Sequence, residues 1–575
     1  MTYRAPVEDY LFLLNHVAGM DRVSATDRFA EATPDMAAAI LGEAARMCED
    51  VLAPLQRNGD LHPAVLENGV VRTSPGFDAG YRAIADGGWV SISASPDHGG
   101  MGLPMAVTTA VNEMMSSACL ALQLNPLMTQ GQIEALEHHA SDEIKRLYLP
   151  KLVSGAWSGT MNLTEAQAGS DVGALRATAR PNADGSYAIT GQKIYISWAD
   201  NDFSENVCHL VLARLPDAVP GVKGISLFLV PKLIPDADGV PGARNALSVV
   251  SLEHKMGLHG SPTAVMQYDG ASGWLVGEPH DGLRAMFTMM NNARLGVGGQ
   301  GIGSAEGAYQ QALAYAQERK QGHSDVPDAS GTIIDHADVR RMLITMKADI
   351  MAARAIALAC AVAIDMQTAT AEPEWAARAA LLTPIAKAFG TDTGIDVAST
   401  AMQVQGGMGY IEETGAAQYL RDVRVTAIYE GTNGIQAMDL VTRKLMDGGE
   451  AAFALLDELA EHAEAARDAL PDLAEAVWQS GESLREAVEW MVSRQDLSQR
   501  HAGAVPFLRG FARVLGGHFH LRAAMAEIQA GPEGARTRLA RFYIRRLLPE
   551  HAGLLAHAMA GADDLYALDA DDLGA

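Results

Sequence analysis

The chain has 575 residues, of which 48% are hydrophobic and 20% are charged, and its formal net charge is −26 at pH 7. A single hydrophobic core does not serve a chain of this length, so three or four domains are predicted. The acidic excess argues against nucleic acid or an anionic membrane as a partner, although a local basic pocket could still bind a phosphorylated ligand.

The first 156 residues are predicted to be mostly helical. Residues 1–35 form a lead-in whose apolar patch at Tyr10–Leu14 is expected to pack on a larger body. Thr33 and Pro34 then provide an N-cap and a first-turn proline for a helix that runs to about Leu55. Within the helical domain 36–156, the spacing of apolar residues predicts further helices at 77–86, 105–124 and 130–139, with a loop at 88–104.

Residues 157–278 have a different pattern. Short apolar runs such as SYAITGQKIYIS, VCHLVLARL and GISLFLV are separated by Gly, Pro and Asp turns. This pattern is typical of an antiparallel sheet or barrel. We therefore predict a central β domain between two helical ones and the fold class α+β.

Helical spacing returns in residues 279–447, with helices predicted at 283–316, 339–366, 374–389 and 391–402. Long amphipathic helices of this kind pack as a bundle. The turn DGGE at 447–450 indicates a boundary, and residues 448–575 are predicted to form a helical extension with breaks near Pro471, Gly481 and Gly531. Such an extension is expected to serve packing or oligomerisation.

The cysteines and histidines show no metal-binding pattern. Cys48, Cys119, Cys208 and Cys360 are far apart and lack CxxC spacing, which favours buried thiols over a zinc site or disulfides. His138-His139, His254 and His259 also lack partner spacing, so no metal is predicted. The N-terminus has early acidic residues and no basic-then-apolar leader, and no apolar stretch approaches ~20 residues, so a soluble cytoplasmic protein is expected.

The stretch AIYEGTNGIQ, residues 427–436, has a carboxylate at a turn immediately before a predicted helix. Gly431 and Gly434 let backbone N–H groups approach a ligand, Thr432 adds a hydroxyl, and the helix start offers donors to negative charge. On these residues alone, Glu430 is equally compatible with a solvated carboxylate near a helix N-terminus. Its assignment depends on the rest of the chain.

Seven motifs occur in one order along the chain. They are TEAQAGSD at 164–171, KIYIS at 193–197, KMGLHGSPT at 255–263, Glu318-Arg319, QVQGGMGY at 403–410, Arg421-Asp422 and YEGTNGIQ at 429–436. Together they resemble the acyl-CoA dehydrogenase family of flavoproteins, over roughly residues 36–444. The lead-in and the C-terminal extension resemble the larger branch of that family, which includes the 3-methylmercaptopropionyl-CoA dehydrogenases.

The resemblance implies N-terminal helices, a central β barrel, a C-terminal four-helix bundle that carries the catalytic glutamate, and an added helical domain. It also implies non-covalent FAD between barrel and bundle. The residues that it assigns to FAD are Met161, Leu163, Thr164, Gly169, Tyr195, Ser197 and Thr432, with Arg319, Gln403 and Gly407 reaching the FAD of a neighbouring subunit. The residues that it assigns to acyl-CoA are Ser170, Asn291, Arg294 and Gly431.

The implied reaction is α,β-dehydrogenation of an acyl-CoA thioester to a trans-2-enoyl-CoA, with Glu430 as the catalytic base. Removal of a proton next to a thioester requires a carboxylate with a raised pKa in a dry pocket and an electron sink on the opposite face of the acyl chain. The flavin would be that sink, and the Glu430 backbone N–H with a flavin ribityl hydroxyl would stabilise the thioester oxygen. Some relatives carry the base just before the CoA arginine, where this chain has Ala293.

Three residues depart from the family pattern. Ala166 stands where proline usually follows the TE pair, and Tyr195 stands where many members have tryptophan. Gly322 stands where an aromatic residue often follows the FAD arginine, and this change is expected to loosen packing around the adenine or the flavin.

The substrate favoured by the resemblance is 3-(methylthio)propanoyl-CoA, and the alternative is a general short- or medium-chain fatty acyl-CoA. Electrons would pass to an electron-transfer flavoprotein, and the sharing of FAD between subunits implies a homodimer. A further alternative is a DNA-binding alkylation-response flavoprotein of the same fold, for which the cluster RFYIRR at 541–546 would be a basic face.

The segment GVGGQG at 296–301 fits GxGxxG, but its helical context favours close helix packing over a phosphate loop.

Overall fold

The computed structural model of the protein describes residues 3–574. Met1, Thr2 and Ala575, at the outer ends of the predicted lead-in and extension, lie outside the described residues. The N-terminal elements are α1 (Val7–Leu13), α2 (Met20–Ser24), α3 (Pro34–Met47), α4 (Ala53–Leu61), β1 (Val65–Glu67), β2 (Val70–Arg72), α5 (Phe77–Asp86), α6 (Met105–His139) and α7 (Asp142–Val153).

The lead-in packs onto the helical body, as its apolar patch predicts. Tyr10 is fully buried, and the guanidinium of Arg354 lies 4.7 Å from the centre of its ring. The Thr33 hydroxyl accepts a hydrogen bond from the Met36 N–H, which confirms the predicted N-cap of α3. The helical run is longer than predicted, because a π-helical turn at Cys48–Leu52 joins α3 to α4.

The helices predicted at 105–124 and 130–139 are one element, α6, so the break predicted near residue 127 is wrong. The irregularity lies instead at Cys119, where φ is −157° and ψ is 89°. The side chain of Gln56 in α4 accepts a hydrogen bond from the Leu120 N–H at this kink. A side-chain acceptor thus replaces the helical partner that the kink removes.

The central region contains β3 (Trp157–Asn162), β4 (Thr178–Pro181), β5 (Tyr187–Ser197), β6 (Asn206–Arg214), β7 (Ile225–Pro231), β8 (Leu233–Pro235), β9 (Pro241–Arg244), β10 (Leu247–Leu252) and β11 (Thr263–Val276). The main sheet has the order β10-β11-β5-β4-β6-β3, and β7 pairs with both β6 and β11. The expectation of a wholly antiparallel sheet is wrong, because β3 and β4 each pair in parallel with β6. Strand β6 is buried from Asn206 to Ala213, as its continuous apolar run and parallel neighbours require.

The next region consists of α8 (Gly282–Glu318), α9 (Ala337–Thr370), α10 (Pro373–Gln405), α11 (Ala416–Val423) and α12 (Asn433–Asp439). Helix α8 packs against α6, α9 and α10. The predicted interruption of α10 near Gly390 is wrong, because the helix continues through this residue. A Cβ on Gly301 of α8 would lie 2.3 Å from the Gly390 carbonyl oxygen, and one on Gly298 would lie 2.8 Å from the Ala386 carbonyl oxygen, so these two glycines of GVGGQG serve close helix packing, as the sequence indicates.

The C-terminal helices are α13 (Glu450–Ala465), α14 (Pro471–Ser493), α15 (Leu497–Ala502), α16 (Ala504–Ala530), α17 (Ala535–Phe542), α18 (Glu550–Ala558) and α19 (Ala570–Gly574). Helix α16 packs against α9. Breaks at Pro471 and Gly531 are confirmed, but Gly481 lies within α14, against Leu459. All four cysteines are buried and free. Within residues 3–574, no helix has both the length and the apolar character needed to span a bilayer.

A buried charge cluster joins three of the long helices. Arg354 of α9 lies 2.7 Å from the Glu113 carboxylate of α6 and 2.8 Å from the Glu306 carboxylate of α8. All three side chains are nearly inaccessible to solvent. One arginine therefore compensates two carboxylates that are removed from water, which makes its loss costly.

We expect Arg354→Met to destabilise the protein by about 3–5 kcal/mol, because two buried carboxylates would remain without a cation. Thermal unfolding followed by circular dichroism should show a lower midpoint. Adding Glu113→Gln and Glu306→Gln should recover most of the loss, since neutral amides need no counter-charge. An unchanged midpoint for Arg354→Met would contradict this role of the cluster.

Candidate active site

Glu430 lies in the turn between a 3₁₀ segment, Arg424–Ala427, and helix α12. The backbone is left-handed at both Glu430 and Gly431, with φ of +56° and +85°. A left-handed glutamate is uncommon, and such strain is concentrated at functional sites. The left-handed φ disfavours a side chain at Gly431, and an added Cβ would also displace the Gln436 side-chain nitrogen, which it would approach to 2.7 Å. Thr432 caps α12, and its hydroxyl accepts a hydrogen bond from the Ile435 N–H.

Glu430 is half-buried, and one of its two carboxylate oxygens is withdrawn from water. Its Oε2 atom is buried and has no hydrogen-bond partner among residues 3–574. Burial raises the pKa of Glu430 to about 7, while the charges of Arg294 and Lys387 act to lower it. A carboxylate with a near-neutral pKa and a free oxygen is suited to accept a proton from a bound ligand at neutral pH.

Lys387 of α10 also contacts this turn, and the motif analysis did not identify it. Its side chain is fully buried, and its Nζ donates hydrogen bonds to the Gly431 carbonyl oxygen at 3.0 Å and to Asn433 Oδ1 at 2.9 Å. Burial lowers the pKa of Lys387 to about 8, while Glu430 and Asp392 act to raise it. The available signal is a lysine inside the apolar run TPIAKAFGT, because a charge at such a position requires a buried partner.

Arg294 and Asn291 of α8 lie beside the same turn. Arg294 is buried, and its Nη1 is 3.5 Å from Asn291 Oδ1. Its Nη2 would be 3.8 Å from a Cβ placed on Gly431. Its Nε is buried without a hydrogen-bond partner among the described residues, so the guanidinium retains donor capacity. The fold thus brings these two predicted substrate residues together with Glu430 and Gly431.

A second group of predicted residues lies at the end of β3 and along β5. Lys193 of β5 is fully buried, and its Nζ donates hydrogen bonds to the Leu163 carbonyl oxygen at 3.0 Å and to the Glu165 carboxylate at 2.8 Å. The same carboxylate accepts hydrogen bonds from the Arg176 and Ala177 N–H groups. This buried ion pair connects the turn that follows β3 to β5.

The predicted flavin residues of this group share a partly open surface. The Thr164 carbonyl oxygen accepts a hydrogen bond from the Ile194 N–H at 2.9 Å, immediately before Tyr195. Tyr195 is 62% exposed and has a left-handed φ of +60°. Among the others, Leu163 is buried, Met161 and Ser197 are half-buried, and Gly169 and Ser170 are exposed.

The remaining predicted cofactor residues, Arg319, Gln403 and Gly407, form no hydrogen bond with the Glu430 turn among the described residues. All three are exposed. The Arg319 side chain contacts only Gln321, at 3.4 Å, among the hydrogen bonds of residues 3–574. Within one chain these residues therefore lie outside the hydrogen-bond network of the Glu430 turn, among the residues that the structure describes.

The Arg421-Asp422 pair connects distant parts of the chain. Arg421 forms a bidentate ion pair with Asp60 at 2.7 and 2.6 Å. The Asp422 carboxylate accepts a hydrogen bond from the Leu258 N–H at 2.6 Å, within the KMGLHGSPT turn. These contacts join the N-terminal helices, the end of the sheet region and the segment that leads to Glu430.

Four family models match successive parts of the chain. They describe the acyl-CoA dehydrogenase N-terminal domain at 35–156, the middle domain at 160–271, the C-terminal domain at 280–445, and an acetyl-CoA dehydrogenase C-terminal-like domain at 455–569. The 3-methylmercaptopropionyl-CoA dehydrogenase of Ruegeria pomeroyi (strain ATCC 700808 / DSM 15171 / DSS-3) is 46% identical over 523 residues, 88% of each chain. The chain belongs to the acyl-CoA dehydrogenase family.

Other acyl-CoA dehydrogenases extend the comparison. The broad-specificity linear acyl-CoA dehydrogenase FadE5 of Mycobacterium tuberculosis (strain ATCC 25618 / H37Rv) is 36% identical over 77% of this chain and 75% of its own length. The crystal structure of Caenorhabditis elegans ACDH-11 in complex with C11-CoA has a TM-score of 0.80, at 21% identity, and covers 95% of this chain and 92% of its own. Helical N- and C-terminal regions around a central sheet are therefore the acyl-CoA dehydrogenase fold, and members of the family are FAD-dependent oxidoreductases.

The group of predicted flavin residues at the end of β3, in the turn that follows it and along β5 suits a planar flavin. A Cβ on Gly169 would meet no atom within 4 Å, so a ligand can approach the backbone there. Tyr195, a residue of the same group, presents an exposed aromatic ring. An exposed ring and an open glycine backbone are what a flat heterocycle requires of a protein surface.

One group of three potential metal ligands occurs among residues 3–574, formed by Glu458, His462 and His518. Glu458 is already engaged by Arg378 at 2.6 Å, and this contact, with the charge of Arg378, offsets burial and lowers the pKa of Glu458 to about 2. Burial lowers the pKa of His462 and of His518. The Glu458 carboxylate of this group therefore already has the Arg378 guanidinium as a cationic partner within the protein.

The basic cluster RFYIRR is partly neutralised. Arg541 and Arg545 both approach Asp472, at 3.7 and 2.7 Å, and Arg541 also approaches Glu533 at 3.3 Å. Ion pairs within the chain reduce the charge that this face could offer to a phosphate backbone.

We expect Lys193→Met to weaken flavin binding by roughly tenfold or more. The substitution removes the hydrogen bonds that hold the turn after β3, and hydrogen bonds between charged groups are worth about 1.5–3 kcal/mol. Flavin dissociation constants from fluorescence titration would measure the change. The matched control is Lys151→Met, which removes only a 3.7 Å surface pair with Glu205 and should bind flavin normally. Wild-type affinity in Lys193→Met would show that the turn does not depend on this ion pair.

Proposed function

We propose that this acyl-CoA dehydrogenase removes the α-proton and the β-hydride of an acyl-CoA thioester and releases a trans-2-enoyl-CoA, with Glu430 as the base. The single observation that carries this assignment is the Glu430 carboxylate, whose Oε2 is buried without a partner among residues 3–574 and whose pKa is raised to about 7 by burial. Proton abstraction beside a thioester needs a base of this kind.

The chain's own groups can also stabilise the enolate-like transition state. Among the hydrogen bonds of residues 3–574, none has the Glu430 backbone N–H as its donor. This N–H is therefore available to the thioester oxygen, where negative charge develops as the α-proton leaves. Arg294 and Asn291, at the same turn, would bind the CoA part of the substrate. The backbone of Gly431 would also contact the substrate. Ser170, on the sheet side, would contact the pantetheine.

FAD would be bound by Met161, Leu163, Thr164, Gly169, Tyr195, Ser197 and Thr432 of one subunit. When bound, it supplies the acceptor for the β-hydride. Arg319, Gln403 and Gly407 would complete the site from a neighbouring subunit, and their exposure supports that role. Arginine suits the pyrophosphate because its charge is permanent and its donors are planar.

The proposed substrate is 3-(methylthio)propanoyl-CoA, with 3-(methylthio)acryloyl-CoA as the product. The support is the 46% identity to the Ruegeria pomeroyi 3-methylmercaptopropionyl-CoA dehydrogenase. The runner-up is a general short- or medium-chain fatty acyl-CoA, which the 36% identity to a broad-specificity linear acyl-CoA dehydrogenase supports.

We also propose the oligomeric state, the location and the electron acceptor of the protein. The chain is a homodimer in the cytoplasm and passes electrons to an electron-transfer flavoprotein. Its domains are 36–156, 157–278, 279–447 and 448–575, limits that the matched family segments support. We also propose that the central sheet forms a barrel. The support is the pairing of β7 with both β6 and β11.

Anaerobic titration of the purified protein with acyl-CoAs, followed by flavin absorbance, tests the reaction and ranks the substrates. Pentanoyl-CoA is the matched control for 3-(methylthio)propanoyl-CoA, because a methylene replaces the sulfur in a chain of equal length. Faster bleaching by the thioether supports the proposed substrate, and equal rates favour the general enzyme. A yellow protein that no thioester bleaches contradicts the proposed reaction.

We expect Glu430→Gln to retain bound flavin and to bind substrate, but to lose at least the ~100-fold that a positioned general base contributes. Rapid mixing with the best thioester measures the rate of flavin reduction. Glu413→Gln, at an exposed carboxylate of the same region, serves as the control and should reduce normally. Unchanged reduction in Glu430→Gln would mean that another residue is the base.

Light scattering should show a particle of twice the 60.9 kDa of one chain. Tyr410, beside Gly407, is 83% exposed, so Tyr410→Asp should leave the subunit folded and weaken both dimerisation and FAD retention. A monomeric wild-type protein with a full complement of FAD would contradict the shared cofactor site.

A further inference from the structure

Lys387 occupies an unusual electrostatic position. It is a fully buried lysine whose hydrogen bonds go to two neutral acceptors, the Gly431 carbonyl oxygen and Asn433 Oδ1. A buried cation is normally held by a carboxylate in direct contact. Here no ion pair of Lys387 occurs among the described residues, so its counter-charge acts from a longer distance.

The hydrogen bonds of Lys387 act on the strained part of the turn. Gly431 and Glu430 are consecutive left-handed residues, and the Gly431 carbonyl is the group that Lys387 contacts. Asn433 is in turn anchored by hydrogen bonds from its amide to Asp392 Oδ1 at 2.7 Å and to Thr391 Oγ1 at 3.0 Å. Backbone strain persists only where the surroundings determine it, and Lys387 with Asn433 forms those surroundings.

The charged groups around Glu430 come from two helices. Arg294 projects from α8 and Lys387 from α10, and both favour the ionised carboxylate. Lys387 is influenced in turn by Glu430, Asp392 and Arg294. The charges of Asp439 and Arg443, in the segment that follows the turn, also act on the pKa of Arg294. Lys387 is therefore a cation that contacts the backbone of the residue after Glu430 and whose charge favours the ionised Glu430.

We propose that Lys387 is a positioning residue for the reaction, which holds the Glu430–Gly431 turn in its left-handed conformation and keeps Glu430 ionised and ready to accept the α-proton. This inference rests on the proposed function of Glu430 as the base. It assigns to one buried side chain the two requirements of that base, namely its orientation and its charge state.

The sign of the effect on pH dependence follows from the charges. The base must be ionised, so flavin reduction declines as pH falls through the pKa of Glu430. Burial raises that pKa, and the positive charge of Lys387 opposes the increase. Removal of this charge therefore raises the pKa of Glu430 further and shifts the acidic limb of the rate profile to higher pH.

The test is the pH profile of flavin reduction by one saturating acyl-CoA, measured by rapid mixing for wild type, Lys387→Met, Lys387→Gln and Lys387→Arg. Lys387→Met should move the limb to higher pH and reduce the limiting rate roughly tenfold or more, with KM little changed. Lys387→Gln keeps a donor for the Gly431 carbonyl but no charge, so it should retain more of the rate while its limb moves as in Lys387→Met. Lys387→Arg should return the limb towards wild type.

Melting temperature and flavin content of each variant separate positioning from folding. Lys347→Met, an exposed lysine of α9, is the control for the substitution itself and should match wild type throughout. An unmoved limb in Lys387→Met or Lys387→Gln overturns the proposal, as does loss of flavin from all three Lys387 variants, which would assign the residue to the core alone. Absence of a limb that depends on Glu430 in the wild type would instead contradict the proposed function itself.

Discussion

The burial of one carboxylate at a left-handed turn is the constraint on which the site depends. Burial raises the pKa of Glu430 to about 7, and the opposing cations come from different helices. Without those cations the pKa of Glu430 would be higher still, and a smaller fraction of the base would be ionised at neutral pH. The arrangement therefore requires α8 and α10 to present Arg294 and Lys387 to the same small volume.

Close helix packing is what makes this possible. Glycines on α8 and α10 let the two backbones meet, because a Cβ on Gly301 would lie 2.3 Å from the Gly390 carbonyl oxygen. Gly390 is three residues from Lys387 on α10, and Arg294 is seven residues before Gly301 on α8. Larger residues at the contact would separate the helices and with them the two cations. Packing and electrostatics are thus determined by the same stretch of sequence.

The sequence predicted the parts of this site that have local signals. The turn at Glu430 and the return of helical spacing after the β region could be read from neighbouring residues alone. The apolar run around Lys387 indicates burial, but the partners of Lys387 could not be read from it, because they lie more than forty positions away. The helix break in α6 was misplaced for a similar reason, since the kink at Cys119 is stabilised by Gln56 of another helix. The parallel pairing of β6 likewise depends on strands distant in sequence.

The ordered motifs also differ in what their residues do within the fold. Glu165 and Asp422 belong to motifs that resemble a flavin and substrate site, yet their carboxylates bind Lys193 and the Leu258 N–H inside the protein. Tyr195, Gly169 and Ser170 of the same set remain exposed and free to contact a ligand. A motif in this protein therefore combines an exposed residue with a buried charge that orients the turn. Because the buried charge is satisfied only in one geometry, it specifies the position of the exposed residue more strictly than local turn propensity could.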